Sequence, residues 1–271
     1  MNTETEINIE KSANLTRGYC RVTGYGFHDI FKSCCEDLDY KMIRYPIKDN
    51  PILGFSEIKD NDKIIFTNSS AILSREIFTA AHEIGHHILH LNKGCKELVD
   101  IGNFDSNNQH EIEANYFAAC LLMPKEEVQK FIRFELNDKS INEWNGLDIA
   151  MFQAAFNVSF NMVLNRLNKL KIIGQKDITR FQDSKSRLSV SRLLQIVYGS
   201  NTLCQPSNVK QVPAQFMEWV IYNYREKLIP KSTLEKAFSY FGTTPTDIKQ
   251  KDDEFKDDNK SLDELIKGLN E

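Results

Sequence analysis

No stretch of this 271-residue chain approaches the roughly 20 consecutive apolar residues that a membrane-spanning helix requires. The segment from Met1 to Lys11 is acidic and polar, without the apolar centre of a secretory signal. The six cysteines (Cys20, Cys34, Cys35, Cys95, Cys120 and Cys204) form neither C-x-x-C pairs nor a disulfide framework. A reducing, cytoplasmic setting is therefore expected. No internal repeat is present. Nor does one sign of charge dominate the body. The tail from Gln250 to Glu271 carries eight acids and four lysines, which accounts for the whole net charge of −4 and leaves 30 acids against 30 bases elsewhere. A general polyanion-binding surface is excluded, and the tail reads as a solvated, mobile segment. Within it, Leu262, Leu265, Ile266 and Leu269 are spaced for one short helical turn or a docking peptide. With 41% hydrophobic and 27% charged residues, the chain has the composition of a soluble globular protein with one substantial core and a smaller module.

The most informative stretch is Ala81-His-Glu-Ile-Gly-His-His-Ile-Leu-His90, which contains H-E-x-x-H. Ile77, Phe78, Ala81, Ile84, Ile88 and Leu91 recur at three- and four-residue steps, and no proline interrupts Ala71 to Leu91, so a helix is expected. Ser70 and Ser74 offer hydroxyls for its N-terminal cap. Residues four apart on a helix stand nearly above one another, so His82 and His86 can aim two imidazole nitrogens at one zinc ion. Glu83, beside them, is placed to take a proton from water at that ion. Gly85 leaves room beside a metal. His87 points away from the His82–His86 ridge and is expected to be partly exposed. His90 lies too far along the ridge to be a third ligand and is expected to be buried and hydrogen-bonded behind the site.

A catalytic zinc needs a third protein ligand. The segment His110 to Pro124 reads as a second helix that Pro124 stops. Glu111 and Asn115 lie four apart on one line and can both face the first helix, with Glu111 as ligand and Asn115 orienting a histidine ring or the carboxylate. Glu113 is the rival, pointing about 200° from Glu111 around the helix, so the two cannot share one ion. Helical facing favours Glu111 and leaves Glu113 open; one of the two is a solvated surface carboxylate.

Together, Arg75 to His90 (REIFTAAHEIGHHILH) and Glu111 to Pro124 (EIEANYFAACLLMP) resemble the ImmA/IrrE family of metallopeptidases. The resemblance covers roughly Phe55 to Ile173. It implies a gluzincin-like site, with zinc held by two histidines and by a glutamate four residues before an Asn or Asp. That pattern selects Glu111, ahead of Asn115. It also implies regulated cleavage of a repressor-type protein, often in phage, mobile-element or stress circuits.

Elsewhere, a helix is expected at Tyr25 to Asp37 and a strand at Tyr40 to Pro46. Leu53 to Ile58 and Lys63 to Thr67 flank a turn and read as a β-hairpin. Gly94 to Asn108 forms a polar connection that could wall the cleft. Leu147 to Phe156 and Phe160 to Leu170, joined by Asn157-Val-Ser159, resemble a helix-turn-helix. Its second helix carries Asn161, Asn165, Arg166, Asn168 and Lys169 and no acid, so DNA is a second candidate partner through residues 147–170. The competing expectation is a helical pair that only buttresses the peptidase core. Arg187 to Tyr198, Gln215 to Glu226 and Ser232 to Tyr240 are expected helices, with the aromatics from Trp219 to Phe241 in a core.

The expected fold is α+β: a mainly helical, zincin-like metallopeptidase core with a small β-sheet, then a helix-turn-helix-like segment and a helical C-terminal module. The expected divisions are a peptidase domain at 1–136, the helical segment at 137–175, the C-terminal module at 176–249 and the acidic tail at 250–271. The expected function is a cytoplasmic zinc-dependent endopeptidase that cleaves a repressor-type regulator. In it His82, His86 and Glu111 hold zinc, Glu83 is the general base, and His90, His110 and Tyr116 are conceivable oxyanion donors. The alternatives are a DNA- or protein-binding regulator with a structural or vestigial zinc site, and a toxin or antitoxin component whose peptidase fold holds a partner. No membrane contact is expected.

Overall fold

The computed structural model describes residues 1–59, 61–91, 108–245 and 248. The expected cleft loop at 94–108, apart from Asn108, and the acidic tail lie outside them. The chain divides into two compact units, Met1–Gln211 and Val212–Glu271.

The first unit opens with α1 (Thr3–Tyr19), an element its polar composition concealed. The Asn2 side chain accepts from the Thr5 amide and caps the helix. Ile9, Ala13, Thr16 and Arg17 make its buried face, which packs on α4 (Gln109–Leu122). Arg17 is buried because the carbonyls of Leu121, Gly24 and Tyr25 accept from its guanidinium at 3.0–3.1 Å. The helix expected at Tyr25 to Asp37 shortens to α2 (Ile30–Glu36), because the Asp29 side chain caps it from the Phe31 and Lys32 amides.

β1 (Lys41–Tyr45), β2 (Gly54–Lys59) and β3 (Asp62–Asn68) form a sheet in the order β1-β3-β2. β2 and β3 make the expected antiparallel hairpin, and β1 runs parallel to β3. Asn61 turns the hairpin at φ +71°, a left-handed conformation that Asn tolerates. The outer edge of β1 is closed by the segment at 205–211: Arg44 and Gln211 exchange two backbone hydrogen bonds of 2.8 Å.

The motif helix is α3 (Leu73–Leu89), packed against the sheet and α4. Its start corrects the expected caps. The Ser70 hydroxyl turns to the Ile47 carbonyl and the Asn68 side chain, and Ser74 lies inside the helix without capping it. The Leu73 amide, which a cap would help to satisfy, instead donates to the Gln205 carbonyl at 2.8 Å. Gly85 is also corrected. A Cβ there would meet Phe117 Cδ1 at 3.0 Å and the Ala114 backbone at 3.3 Å, so the bare glycine serves the close approach of α4 and not space beside a metal.

Beyond α4, Pro124 starts a further helix, α5 (Lys125–Phe134). α6 (Gly146–Phe156) and α7 (Phe160–Lys169) meet at 95°, within the range of a helix-turn-helix. Their seam is core: Ile149, Ala150, Phe152, Phe156, Val163 and Leu167 are fully buried, each large side chain contributing roughly 1.5–3 kcal/mol. α8 (Gln175–Arg187) and α9 (Val190–Tyr198) pack on α6, splitting at Leu188 where a single helix from Arg187 was expected. The cations of α7 are engaged within the fold. Arg166 is buried and donates to the Met123 carbonyl at 2.8 Å, and Lys169 pairs with Glu6 at 2.7 Å.

In the second unit, α10 (Ala214–Arg225) packs on α11 (Lys231–Ser239) through Tyr224, Leu234 and Ala237. The expected aromatic core is corrected here: Trp219, Tyr222, Tyr240 and Phe241 are exposed, because two short helices bury one face each. Among the described residues no single helix is long and apolar enough to cross a membrane. The mainly helical α+β architecture with a small sheet is the one expected from the sequence.

Candidate active site

α3 and α4 bring His82, His86 and Glu111 together in a buried cluster, one ligand atom of each lying within 4.8 Å of the others. The Nε2 atoms of His82 and His86 are 2.9 Å apart, and each lies 3.2 Å from a different oxygen of Glu111. A tetrahedral zinc with bonds of 2.0–2.1 Å separates its ligand atoms by about 3.3 Å, so the three donors already stand close to those spacings.

The far side of each ring supports the same assignment. His82 Nδ1 lies 3.0 Å from Asn115 Oδ1, an acceptor, which places the proton on Nδ1 and leaves the Nε2 lone pair facing the cluster. His86 Nδ1 contacts His90 Nδ1 at 3.2 Å, and His90 Nε2 contacts Glu113 Oε2 at 3.1 Å. Read from the carboxylate inward, His90 donates to Glu113 and accepts from His86, so His86 too presents a bare Nε2. Gln109 holds the other Glu113 oxygen at 2.7 Å. Asn115 and His90 thus occupy the supporting positions expected of them. Glu113 lies outside the His82–His86–Glu111 group and is not an isolated surface carboxylate; it anchors His90. Glu113 lies two residues after Glu111, and no spacing in the sequence marked it as the partner of His90.

Glu83 is buried beside the cluster, and its Oε2 has no hydrogen-bond partner. Burial pushes its carboxyl above the usual carboxylate range, while His82, His86 and Ser56 pull against that shift. A carboxylate of raised proton affinity suits a group that must take and return a proton. Burial also acts upward on Glu111, but the two imidazoles against it outweigh that effect and hold the carboxyl at about 2. Glu111 therefore stays ionised, the state in which a carboxylate can hold a metal.

His87 departs from expectation. It is fully buried, with Nε2 3.2 Å from the Ile64 carbonyl and its ring 4.9 Å from that of Tyr40. Burial lowers its pKa to about 4. The helical wheel placed it away from the ridge correctly, but the sheet covers that flank of α3. Two of the conceivable oxyanion donors are also engaged: the Tyr116 hydroxyl donates to Glu10 at 2.6 Å, and His90 is held between His86 and Glu113. His110 stacks on the His90 ring at 4.3 Å between centroids.

Comparison with known proteins agrees with this geometry. A relative, the uncharacterized immunity region protein 2 of Bacillus phage phi105, is 31% identical over 96 residues. That match takes in 35% of this chain and spans 60% of the relative's length. The peptidase family model described as the IrrE N-terminal-like domain matches residues 35–168, which include β1 to β3 and the whole cluster. Over these residues, a little under half of the chain, it is similar to the ImmA/IrrE peptidase family.

Proposed function

We propose that this protein is a cytoplasmic zinc-dependent endopeptidase that cleaves a repressor-type regulatory protein. The observation that carries the reading is the convergence of His82 Nε2, His86 Nε2 and the Glu111 carboxylate, with the unpartnered Glu83 oxygen beside them. The donor set of two neutral imidazoles and one carboxylate fits zinc. Bound there, zinc supplies Lewis acidity, polarising a carbonyl and acidifying water.

The remaining chemistry falls to the chain itself. β2 is an edge strand of the sheet, and among the described residues no strand pairs with its outer side. An extended peptide paired there passes along the strand that faces Glu83. Glu83 takes the proton of the attacking water as the C–O bond forms, then delivers it to the leaving amine as the C–N bond breaks. Asn115, and Glu113 through His90, hold the imidazoles in orientation and tautomer throughout. The regulator substrate rests on the family and on the relative's immunity region; the cytoplasmic setting rests on free thiols at Cys20, Cys34, Cys35, Cys120 and Cys204.

The test compares new protein N-termini in cells producing the wild-type chain or Glu83→Gln, with bound zinc measured in both purified proteins. Products confined to the wild type at equal zinc are expected. Matching N-termini at equal zinc would sink the peptidase reading.

A further inference from the structure

Ser56 belongs to no motif, yet it lies where the general base needs support. It sits on β2 two residues after Gly54, so both positions share one face of the strand. That face looks onto α3. A Cβ built on Gly54 would clash with the Thr79 methyl, meet the Phe66 carbonyl oxygen at 2.8 Å and stand 3.4 Å from Glu83 Oε1. Gly54 is therefore small because the strand presses against the helix beside the Glu83 carboxylate. The next side chain on that face is a hydroxyl.

Neither Ser56 Oγ nor Glu83 Oε2 completes a hydrogen bond of good geometry, although the Ser56 hydroxyl lies near enough to the Glu83 carboxylate to oppose its upward shift. Each leaves a capacity the other can meet, since a hydroxyl can donate and a carboxylate oxygen accepts. A buried group left unpaired costs about 1–3 kcal/mol, so closing this pair is favourable wherever a rotamer adjustment permits it.

We propose that Ser56 is a positioning residue for Glu83. Its hydroxyl donates to Oε2 and holds the carboxylate aimed at the His82–His86–Glu111 cluster, while the bare Gly54 keeps room beside Oε1. The inference rests on the metallopeptidase reading above and adds a residue to its machinery. Ser56 touches neither substrate nor metal; it acts through Glu83. Sequence inspection could not single it out, because one serine in a strand has no spacing to reveal it.

The test uses acetohydroxamate binding to the zinc-loaded full chain, measured by calorimetry. A hydroxamate that chelates zinc needs a neighbouring base for its hydroxyl proton, and Glu83 is that base. Ser56→Ala is expected to weaken binding roughly five- to tenfold, within the range of one ordinary hydrogen bond, at unchanged zinc content. Ser56→Cys, close in volume and a weak donor, should show a similar loss. Ser56→Thr retains the hydroxyl on a residue suited to a strand and should bind within about twofold of the parent. On a Glu83→Gln background, Ser56→Ala should have no further effect, because residues acting through one group are not additive.

Unchanged binding by both Ser56→Ala and Ser56→Cys would overturn the proposal, as would a loss that persists on the Glu83→Gln background. Failure of the reading beneath it looks different. A zinc-loaded parent that does not bind acetohydroxamate, or a Glu83→Gln variant that binds as tightly as the parent, would remove the base itself and this inference with it.

Discussion

Glu76 and Glu83 stand two turns apart on the same helix, both buried, at 1% and 4% exposure, and the fold treats them in opposite ways. Glu76 is saturated. Arg44 Nε and its terminal nitrogen reach separate oxygens at 2.8 and 3.0 Å, Thr67 adds a bond of 3.0 Å and Ser207 one of 2.9 Å. That cluster ties α3 to β1, β3 and the segment at 205–211. Glu83 has an oxygen without a partner and a raised proton affinity. Identical side chains on one scaffold thus separate into a saturated carboxylate and one with an oxygen left open, the one proposed above as the base. Donor supply separates them, since burial is nearly equal. A satisfied carboxylate has spent the lone pairs that chemistry requires; a starved one keeps them at a cost in stability.

The sharpest way to break this comparison is to neutralise both groups in turn. Glu83→Gln should lower substrate cleavage by roughly two to four orders of magnitude, the usual contribution of a general base, at unchanged zinc content. Product quantification beside metal analysis checks it. Glu76→Ala should do the reverse: it strands the buried Arg44 guanidinium and costs about 3–5 kcal/mol of stability, read by urea unfolding, while cleavage per folded molecule holds. A variant at either position that affected both quantities alike would dissolve the distinction.

A smaller effect is expected behind the metal. Glu113→Ala releases His90, and through it the tautomer of His86, so zinc affinity should fall about 10- to 100-fold in a chelator competition. The Glu111→Gln variant, which removes a ligand charge, should lose more. Equal affinity in Glu113→Ala and wild type would show that the His86–His90–Glu113 chain does not orient the ligand.

The mildest expectation concerns pH in the metal-free chain. Burial holds His87 at about 4, below the ordinary histidine value near 6.5. Between those values the unfolded chain binds the additional proton, so stability rises with pH. The contribution is complete above about 6.5 and is lost as the pH falls toward 4. Burial lowers His90 to about 4 as well, and it acts in the same direction. The urea midpoint should therefore drop between pH 7 and 5, and the drop should be shallower in His87→Leu than in wild type.

Several features were open to inspection of the chain alone, each with a local cause. The four-residue spacing of His82 and His86 became a shared direction once α3 formed, and Glu111 with Asn115 followed the same rule on α4. The hairpin was legible from its turn, and α6 and α7 from the Asn157-Val-Ser159 break, where Asn157 takes φ +56° and Ser159 caps the second helix. Other elements were hidden by composition. α1 escaped notice because few of its residues are apolar and its buried face includes Thr16 and Arg17, which become core only through partners distant in sequence. The expected serine caps failed because a carbonyl from residue 205 serves the Leu73 amide.

The sequence by itself determined which side chains could converge, their spacing on each helix and the carboxylate beside them, because helical geometry converts a short motif into a direction. Tertiary structure alone decided what surrounds those groups. It buried His87 against the sheet, turned Glu113 into the anchor of His90, saturated Glu76 and left one oxygen of Glu83 without a partner. Burial and hydrogen-bond supply come from residues far away in the chain, and no local pattern encodes them.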